Sequence, residues 1–200
     1  MTKVACFMAN GVEEVELISV VDVLRRAQVK VDLISVEDPM VRSAHGVLLG
    51  SDRTLQTAQL ESYDALYVPG GAQGAQTLAH TPEVLAALRS FDQQGKWIAA
   101  ICAGPTVLEA AGILAGHKGT AYPGFAQGLS LKQYKDDLVV VSGHIITSRG
   151  PASAPLLGFE LLRQMGLEAQ AETIWENMLM DELDQHFCRS ITTPLPNPNE

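Results

Sequence analysis

Cys102 stands where a predicted buried strand meets a predicted helix, a position at which a thiol can act as a nucleophile. The apolar run 97–101 ends at this cysteine, and the small residues Ala103 and Gly104 allow a tight turn before the helix. Such a turn exposes a side chain above the sheet, as the nucleophile elbow of hydrolases exposes its serine. Unpaired N–H groups at a helix amino terminus favour the thiolate, which is the reactive form. We therefore interpret Cys102 as a candidate nucleophile, whereas Cys6, inside a predicted strand, is interpreted as structural.

Three glutamates at the start of the first predicted helix could supply an acid or base. At about 100° per residue, Glu13 falls on the apolar stripe of that helix and Glu16 on its flank, whereas Glu14 projects to another side. Burial of a carboxyl raises its pKa and can keep it protonated at neutral pH. Acidic residues are also common in the first turn of any helix, where they stabilise the dipole. The spacing alone leaves both interpretations open.

Pro69, Gly70 and Gly71 end another predicted buried strand. Backbone N–H groups in such a glycine turn can bind an anion or an oxyanion. A plain tight turn explains the same three residues equally well.

Short apolar runs alternate with longer helical patterns, which predicts an α/β fold with a mostly parallel sheet and helices on both faces. The predicted strands are 3–8, 29–36, 46–49 (an edge strand), 65–68 and 97–101, a hairpin joins 138–141 to 145–147, and the predicted helices are 13–27, 82–94, 103–113, 155–165 and 169–183. In open parallel sheets, functional residues gather at the carboxyl ends of the strands. This rule predicts that the turn at 10–11, the glycines at 70–71 and Cys102 share one edge.

Length and composition restrict the class of protein. The 200 residues predict a single domain over 1–190, and the proline-rich segment 191–200 is predicted to be a flexible tail. A net charge of −9 disfavours general nucleic-acid binding, because such a surface repels phosphate backbones. No signal peptide or membrane span is predicted, and three cysteines do not make a disulfide framework. We therefore expect a cytoplasmic protein that uses no membrane and no metal.

Four motifs in matching order resemble the ThiJ/PfpI superfamily. They are 13–16 (EEVE), 68–71 (VPGG), 99–106 (AAICAGPT) and 147–151 (TSRGP). The resemblance runs from about residue 3 to about residue 165. It is closest to the DJ-1/ThiJ branch, because Ala103 stands where the PfpI-type proteases carry a histidine after the cysteine.

The resemblance implies a flavodoxin-like three-layer sandwich, a homodimer and a reaction without a cofactor. It matches Cys102 to the reactive cysteine and Glu16 to a glutamate whose protonated carboxyl hydrogen-bonds that sulfur. It also implies that Gly70 and Gly71, together with the N–H of Ala103, form an oxyanion site.

Two positions depart from the pattern of the superfamily. Tyr122, before Pro123, replaces a histidine that is often counted as the third catalytic residue, and His45 replaces an arginine. Tyr122 can donate a hydrogen bond to substrate, but with an ordinary pKa of about 10 it is a poor base at neutral pH. A Cys-His-Asp protease is therefore disfavoured.

Two functions fit these residues. The first is processing of a small aldehyde, a 2-oxoaldehyde such as methylglyoxal, through a hemithioacetal on Cys102, as in glyoxalase III and protein deglycases. The alternative is an oxidative-stress sensor or chaperone-like protein in which Cys102 is reversibly oxidised.

Overall fold

The computed structural model describes residues 2–183, and the predicted tail at 191–200 lies outside this range. The strands are β1 (Lys3–Met8), β2 (Lys30–Ser35), β3 (Met40–Arg42), β4 (Leu48–Gly50), β5 (Arg53–Thr54), β6 (Ala65–Val68), β7 (Trp97–Ile101), β8 (Lys118–Gly119), β9 (Gln133–Tyr134), β10 (Val139–Ser142) and β11 (Ile145–Ser148). The helices are α1 (Glu14–Arg26), α2 (Ala72–Ala79), α3 (Pro82–Gln93), α4 (Pro105–Ala111), α5 (Ala154–Gln164) and α6 (Glu168–Asn177).

Seven strands form the main sheet in the order β10-β11-β7-β6-β1-β2-β5. All neighbours in this sheet are parallel except β10, which pairs antiparallel with β11. The prediction of a mostly parallel sheet and of a terminal hairpin is confirmed. Because β1, β6 and β7 are adjacent, the turns that follow them lie side by side at the carboxyl edge of the sheet.

Helices cover both faces of this sheet, as predicted for a three-layer sandwich. Helices α1, α5 and α6 bury one face and α2, α3 and α4 the other, so the sheet separates two apolar cores. Strand β1 shows why: Val4, Cys6 and Met8 belong to one core, whereas Ala5 and Phe7 belong to the other. A central parallel strand buried on both faces needs this continuous apolar sequence.

Several elements differ between the prediction and the structure. The predicted edge strand at 46–49 is wrong, because β4 pairs only with β3 in a separate hairpin and β5 forms that edge of the main sheet. Helix α2 is absent from the predicted elements, since its sequence offers Leu78 as its one large apolar residue. The predicted helix 169–183 is interrupted: α6 ends at Asn177, Leu179 has a left-handed φ of 57°, and helical backbone resumes at 180–183.

Neither a membrane span nor a disulfide occurs within residues 2–183. No helix in this range combines the length and the apolar character that crossing a bilayer requires. Cys6 and Cys102 are both free thiols, and Cys188 lies outside the described range.

Gly104 lets the turn after β7 pack against the end of β6. A Cβ at this position would lie 2.5 Å from the carbonyl oxygen of Val68 and 2.9 Å from that of Ile101. Gly104→Ala must push these two strand ends apart, so we expect it to lower the free energy of unfolding by about 1–3 kcal/mol in urea denaturation. Gly50→Ala is the matched control, because its Cβ would meet only the Met40 sulfur at 3.6 Å. Equal unfolding midpoints for the two variants would contradict this account of the turn.

Candidate active site

Cys102 occupies the turn between β7 and α4 in a strained backbone conformation. Its φ of 62° lies in the left-handed region, which costs a residue other than glycine about 1–3 kcal/mol. Two hydrogen bonds hold it there: its N–H donates to the carbonyl oxygen of Ser148 (3.0 Å), and its own carbonyl accepts the N–H of Tyr122 (3.1 Å). The side chain is half-buried. The predicted tight turn is therefore present, and the sheet fixes where the sulfur sits.

Glu16 lies in the first turn of α1 and is fully buried. The helix starts here because the carboxylate of Glu13 caps it, accepting the N–H of Val15 at 3.2 Å. The N–H of Glu13 donates to the carbonyl of Gly70 (3.1 Å), and the N–H of Gly70 donates to Oε2 of Glu16 (2.9 Å). These two bonds tie the beginning of α1 to the end of β6. Helical spacing predicts Glu16 at the flank of the apolar stripe, whereas the structure buries it completely.

Gly70 and Gly71 allow three chain segments to meet. A Cβ on Gly70 would overlap Oε2 of Glu16 and lie 2.7 Å from the Cβ of Cys102. Gly71 has a φ of 88°, and its Cβ would overlap the carbonyl oxygen of Gly11. Glycine is therefore required at both positions, because the three segments approach too closely for a side chain. The prediction for Gly70 needs a correction, because its N–H is already bonded to Glu16 and is not free for an oxyanion.

Opposing effects act on the Cys102 thiol. Burial raises its pKa most, and the neighbouring Glu16 carboxylate raises it further, to about 12. The backbone N–H groups of Ala103 and Gly71 act on the sulfur in the opposite direction and lower its pKa. The expected lowering by the helix start is therefore outweighed, first by burial and then by the Glu16 carboxylate.

The pKa of the Glu16 carboxyl is raised as well. Burial raises its pKa to about 7, even though the Cys102 thiol and the Gly70 N–H both favour the charged form. Its Oε1 atom is buried and has no hydrogen-bond partner of ordinary geometry within residues 2–183. A full negative charge on this carboxyl is therefore poorly stabilised.

Glu16 and Cys102 consequently titrate as a pair. The first proton leaves the pair near pH 7, and the second stays bound until about pH 12. Over the range between, the two groups share one proton and one negative charge. The N–H groups of Gly71 and Ala103 favour the charge on sulfur, and the N–H of Gly70 favours it on the carboxylate. A thiol and a carboxyl that are coupled in this way can act as a nucleophile and a proton carrier.

Tyr122 joins the site through its main chain. Its N–H bonds to Cys102, while its half-exposed ring packs against Phe125 at 6.5 Å between centroids. A Cβ on Gly150 would lie 3.3 Å from the same ring. The ring borders a largely apolar cavity of about 290 Å³, to which Leu138 and Pro151 also contribute.

His45 lies at the other side of α1, outside the cysteine–glutamate pair. Its Nδ1 is 3.1 Å from the Glu14 carboxylate and 3.4 Å from that of Glu13, and the hydrogen bond to Glu14 is the main cause of its raised pKa. The three side chains are close enough to hold a cation, since their ligand atoms lie within 4.8 Å of one another. The ion pairs between them explain the arrangement without one.

Two residues that support the site are not singled out by the sequence analysis. Tyr67 is fully buried within β6, and its hydroxyl donates to the carbonyl oxygen of Glu16 at 3.0 Å. Ser148 supplies the carbonyl that accepts the N–H of Cys102. A tyrosine in a fully buried strand is a usable signal, because its hydroxyl requires a partner. A backbone acceptor such as that of Ser148 leaves no signal in residue type.

The chain is similar to proteins with named activities. It is 30% identical to the glutathione-independent glyoxalase DJ-1 of Schizosaccharomyces pombe, over 90% of this chain and 100% of that protein. It is 36% identical to a deglycase of Pyrococcus horikoshii, over 75% of this chain and 91% of that protein.

A solved structure shows the same fold. Oxidized DJ-1 from Toxoplasma gondii superposes with a TM-score of 0.86 at 37% identity, covering 90% of this chain and 98% of that one. The flavodoxin-like α/β architecture implied by the resemblance is thus confirmed. The DJ-1/PfpI family matches residues 2–164, nearly the whole of the described chain. The chain therefore belongs to the DJ-1/PfpI family.

Proposed function

We propose that this protein converts 2-oxoaldehydes such as methylglyoxal into 2-hydroxy acids without a cofactor, using Cys102 as nucleophile and Glu16 as proton carrier. The observation that carries the proposal is the close approach of the half-buried Cys102 thiol and the fully buried Glu16 carboxyl at the Gly70 turn, where a thiol and a proton-carrying group are neighbours. The relatives named as a glyoxalase and a deglycase support the same class of chemistry. In the reactive state the proton resides on Glu16 and the negative charge on sulfur, beside the N–H groups of Gly71 and Ala103.

The first step forms a carbon–sulfur bond. The Cys102 thiolate attacks the aldehyde carbon, and the carbonyl electron pair moves to the aldehyde oxygen. Glu16 gives its proton to that oxygen, which leaves a neutral hemithioacetal and a Glu16 carboxylate. The N–H groups of Gly71 and Ala103 are placed to stabilise the oxyanion while it forms.

The second step moves a hydrogen between adjacent carbons. The Glu16 carboxylate removes the proton from the former aldehyde carbon, and the electron pair forms a carbon–carbon double bond. The former ketone oxygen takes the proton of the adjacent hydroxyl group, which leaves an enediolate. Returning that proton to the neighbouring carbon gives a 2-hydroxy thioester. One carbon is thereby oxidised and its neighbour reduced, so no external oxidant is needed. Water then cleaves the thioester, which releases the 2-hydroxy acid, restores the thiolate and returns a proton to the Glu16 carboxylate.

The same adduct gives access to glycated amines. In a carbinolamine the aldehyde carbon is still attached to an amine. The Cys102 sulfur can bond to this carbon while the amine leaves with a proton, which gives the same hemithioacetal. We place the remainder of the substrate in the apolar cavity beside Tyr122, where the ring and Leu138 would contact it.

A second candidate function is peroxide sensing through Cys102. The half-buried sulfur has two backbone N–H groups beside it, from Gly71 and Ala103, which could hold the oxygens of a sulfinate. A protonated Glu16 would donate to one of these oxygens. Each peroxide molecule transfers one oxygen to sulfur and leaves as water, so two of them produce the sulfinate.

We also propose that the chain forms a homodimer through one exposed apolar patch. The patch consists of five residues on α1 and on the hairpin around β3 and β4: Val15, Ile18, Met40, Val47 and Leu48. The pairing of His45 with Glu14 holds this hairpin against the start of α1. Exposed apolar surface that spans two elements in this way is typical of an interface.

The pH dependence of Cys102 alkylation tests where the proton resides. If Glu16 holds the proton, the sulfur ionises with the first step of the pair, and the rate of iodoacetamide modification should rise with a midpoint near pH 7. An ordinary free cysteine has its midpoint at about 8.5. Mass spectrometry of the Cys102 peptide separates its modification from that of Cys188. A rate that rises only above about pH 9 would place the charge on the carboxylate and overturn this step.

Exchanging Glu16 for glutamine tests the proton transfer. In Glu16→Gln the amide can still accept the N–H of Gly70 and donate to sulfur, but it cannot carry a proton between carbons. Lactate formation from methylglyoxal should fall by about 10²–10⁴-fold, while Cys102 remains open to alkylation. Glu14→Gln, in the same helix turn and bonded to His45, is the control and should retain activity. Cys102→Ser should form no lactate.

The outcomes of that experiment separate the two candidate functions. Full lactate formation by Glu16→Gln or by Cys102→Ser would refute the proposed mechanism. Negligible turnover by the unmodified protein, together with a gain of two oxygens at Cys102 in dilute peroxide, would favour the sensor.

A charge in the apolar patch should dissociate the dimer. Ile18→Asp places a carboxylate at the centre of the proposed interface, where it would lose water without gaining a partner. Light scattering should then give the mass of a monomer. Val141→Asp changes a similarly exposed residue on β10, at the far edge of the sheet, and should leave the mass unchanged. A monomeric unmodified protein would contradict the proposal directly.

A further inference from the structure

A polar cavity lies at the edge of the sheet opposite to Cys102, where β1 and β2 begin. It has a volume of about 250 Å³ and is lined by Lys3, Lys30, Asp32, Arg53, Gln59 and Tyr63, among others. Cys102 follows the carboxyl end of a parallel strand, whereas Lys3 and Lys30 open their strands at the amino end. The cavity is therefore separate from the proposed active site.

The sheet register places two ammonium groups side by side. Lys3 and Lys30 are direct partners in the β1–β2 pairing, so their side chains share one face of the sheet. Like charges in directly opposite positions destabilise a sheet. Neither ammonium group has a carboxylate or hydrogen-bond partner among the residues that the structure describes. The fold thus keeps two ammonium groups without a direct ion pair at the mouth of a concave site.

Asp32 supplies the one carboxylate that lines the cavity, and one of its oxygens already accepts two hydrogen bonds. Asp32 lies on the same face two residues after Lys30, and its Oδ2 accepts both the buried Tyr63 hydroxyl (2.6 Å) and Nε of Arg53 (3.1 Å). Burial by itself raises the pKa of Asp32, but Tyr63, Arg53 and Lys30 lower it more, so the group is ionised. Its bonds to Tyr63 and Arg53 fix its position, and Oδ1 has no hydrogen bond within residues 2–183.

A neighbouring lysine, in contrast to Lys3 and Lys30, has hydrogen-bond partners. Lys96, which lies close by, donates through Nζ to the carbonyl oxygens of Glu61 (3.1 Å) and Tyr63 (2.9 Å). The whole chain carries a net charge of −9, whereas this cavity is lined by three cationic side chains and one carboxylate. Such a concentration of cations attracts small anions from solution.

We infer that this cavity binds a small phosphate ester that carries a neighbouring hydroxyl group. The phosphate would lie between the ammonium groups of Lys3 and Lys30, and the hydroxyl would donate to Oδ1 of Asp32. Lysine ammonium groups bind phosphate as point charges, and hydrogen bonds between charged groups are the strong ones. The volume suits a ligand smaller than a typical drug-sized molecule, for which cavities of about 300–1,000 Å³ are usual.

Titration calorimetry with glycerol 3-phosphate, in a low-salt buffer without phosphate, tests this site. The unmodified protein should bind one equivalent in a saturable manner. Lys30→Gln should weaken binding by about tenfold or more, because one of the two charge-assisted contacts is lost. Lys118→Gln removes the same charge from an exposed position on strand β8 and should bind like the unmodified protein. Lys30 is exposed and unpaired, and an unchanged urea midpoint would show that its variant is folded.

Several results would overturn the inference. These are the absence of saturable binding, an equal loss of affinity in Lys30→Gln and Lys118→Gln, and an equal response to sodium sulfate at the same ionic strength. Equally tight binding of inorganic phosphate would refute the contact between the hydroxyl and Asp32. Cys102→Ser should bind glycerol 3-phosphate normally, so failure of the proposed catalytic function and failure of this site give different results.

Discussion

The structure at the carboxyl edge of the sheet depends on one constraint, the burial of the Glu16 carboxyl beside the Cys102 thiol. Removing a carboxylate from water is expensive, and among the residues that the structure describes only the Gly70 N–H and the thiol compensate Glu16. The carboxyl therefore holds its proton up to about pH 7, and its charge in turn opposes ionisation of the thiol. A pair that cannot accept two negative charges must share one proton, and a shared proton is what acid–base chemistry at an adjacent carbon requires.

The rest of the carboxyl edge keeps these two groups in contact. Strand β6 is followed by Gly70 and Gly71, which bring α1 and the Cys102 turn together at distances that no side chain would permit. The left-handed backbone of Cys102 costs energy, and the hydrogen bonds to Ser148 and Tyr122 hold it in place. Strain of this kind persists only where the surrounding structure determines the conformation more strongly than the residue does. Here the two apolar cores on either side of the sheet supply that rigidity.

The two ends of the sheet handle charge differently. At the carboxyl edge, Glu16 and Cys102 together carry one proton and one negative charge, and backbone N–H groups are the neighbouring donors. At the amino edge, Lys3 and Lys30 each present a full charge. The direct pairing of β1 with β2 fixes the positions of these two residues. The first arrangement suits a reaction in which charge moves, and the second suits the binding of a ligand whose charge is permanent. Both arise from one parallel sheet, because parallel strands collect their starts at one edge and their ends at the other.

The architecture follows from the amino-acid sequence alone, and hydrophobic periodicity locates most of the elements. Buried strands such as β1 and β7 are continuous apolar runs, so their positions follow from residue type. Helix α2 and the pairing of β4 do not follow, because small residues and short strands carry little periodic signal and their placement depends on distant partners. The strand–helix junction also singles out Cys102, whereas Glu16 and the two glycines are assigned by the resemblance of their motifs to the superfamily.

The effects of these residues on one another, in contrast, depend on tertiary contacts. Helical spacing places Glu16 at the flank of its helix, but the packing of α1 against the end of β6 buries it completely. The helix start after Cys102 suggests a lowered thiol pKa, whereas burial and the Glu16 carboxyl raise it. Gly70 resembles an oxyanion donor in the sequence, yet its N–H is bonded to Glu16. Residue type and local spacing reveal which groups can titrate or donate, but desolvation and Coulomb interaction depend on neighbours that are remote in the chain, and only folding brings them together.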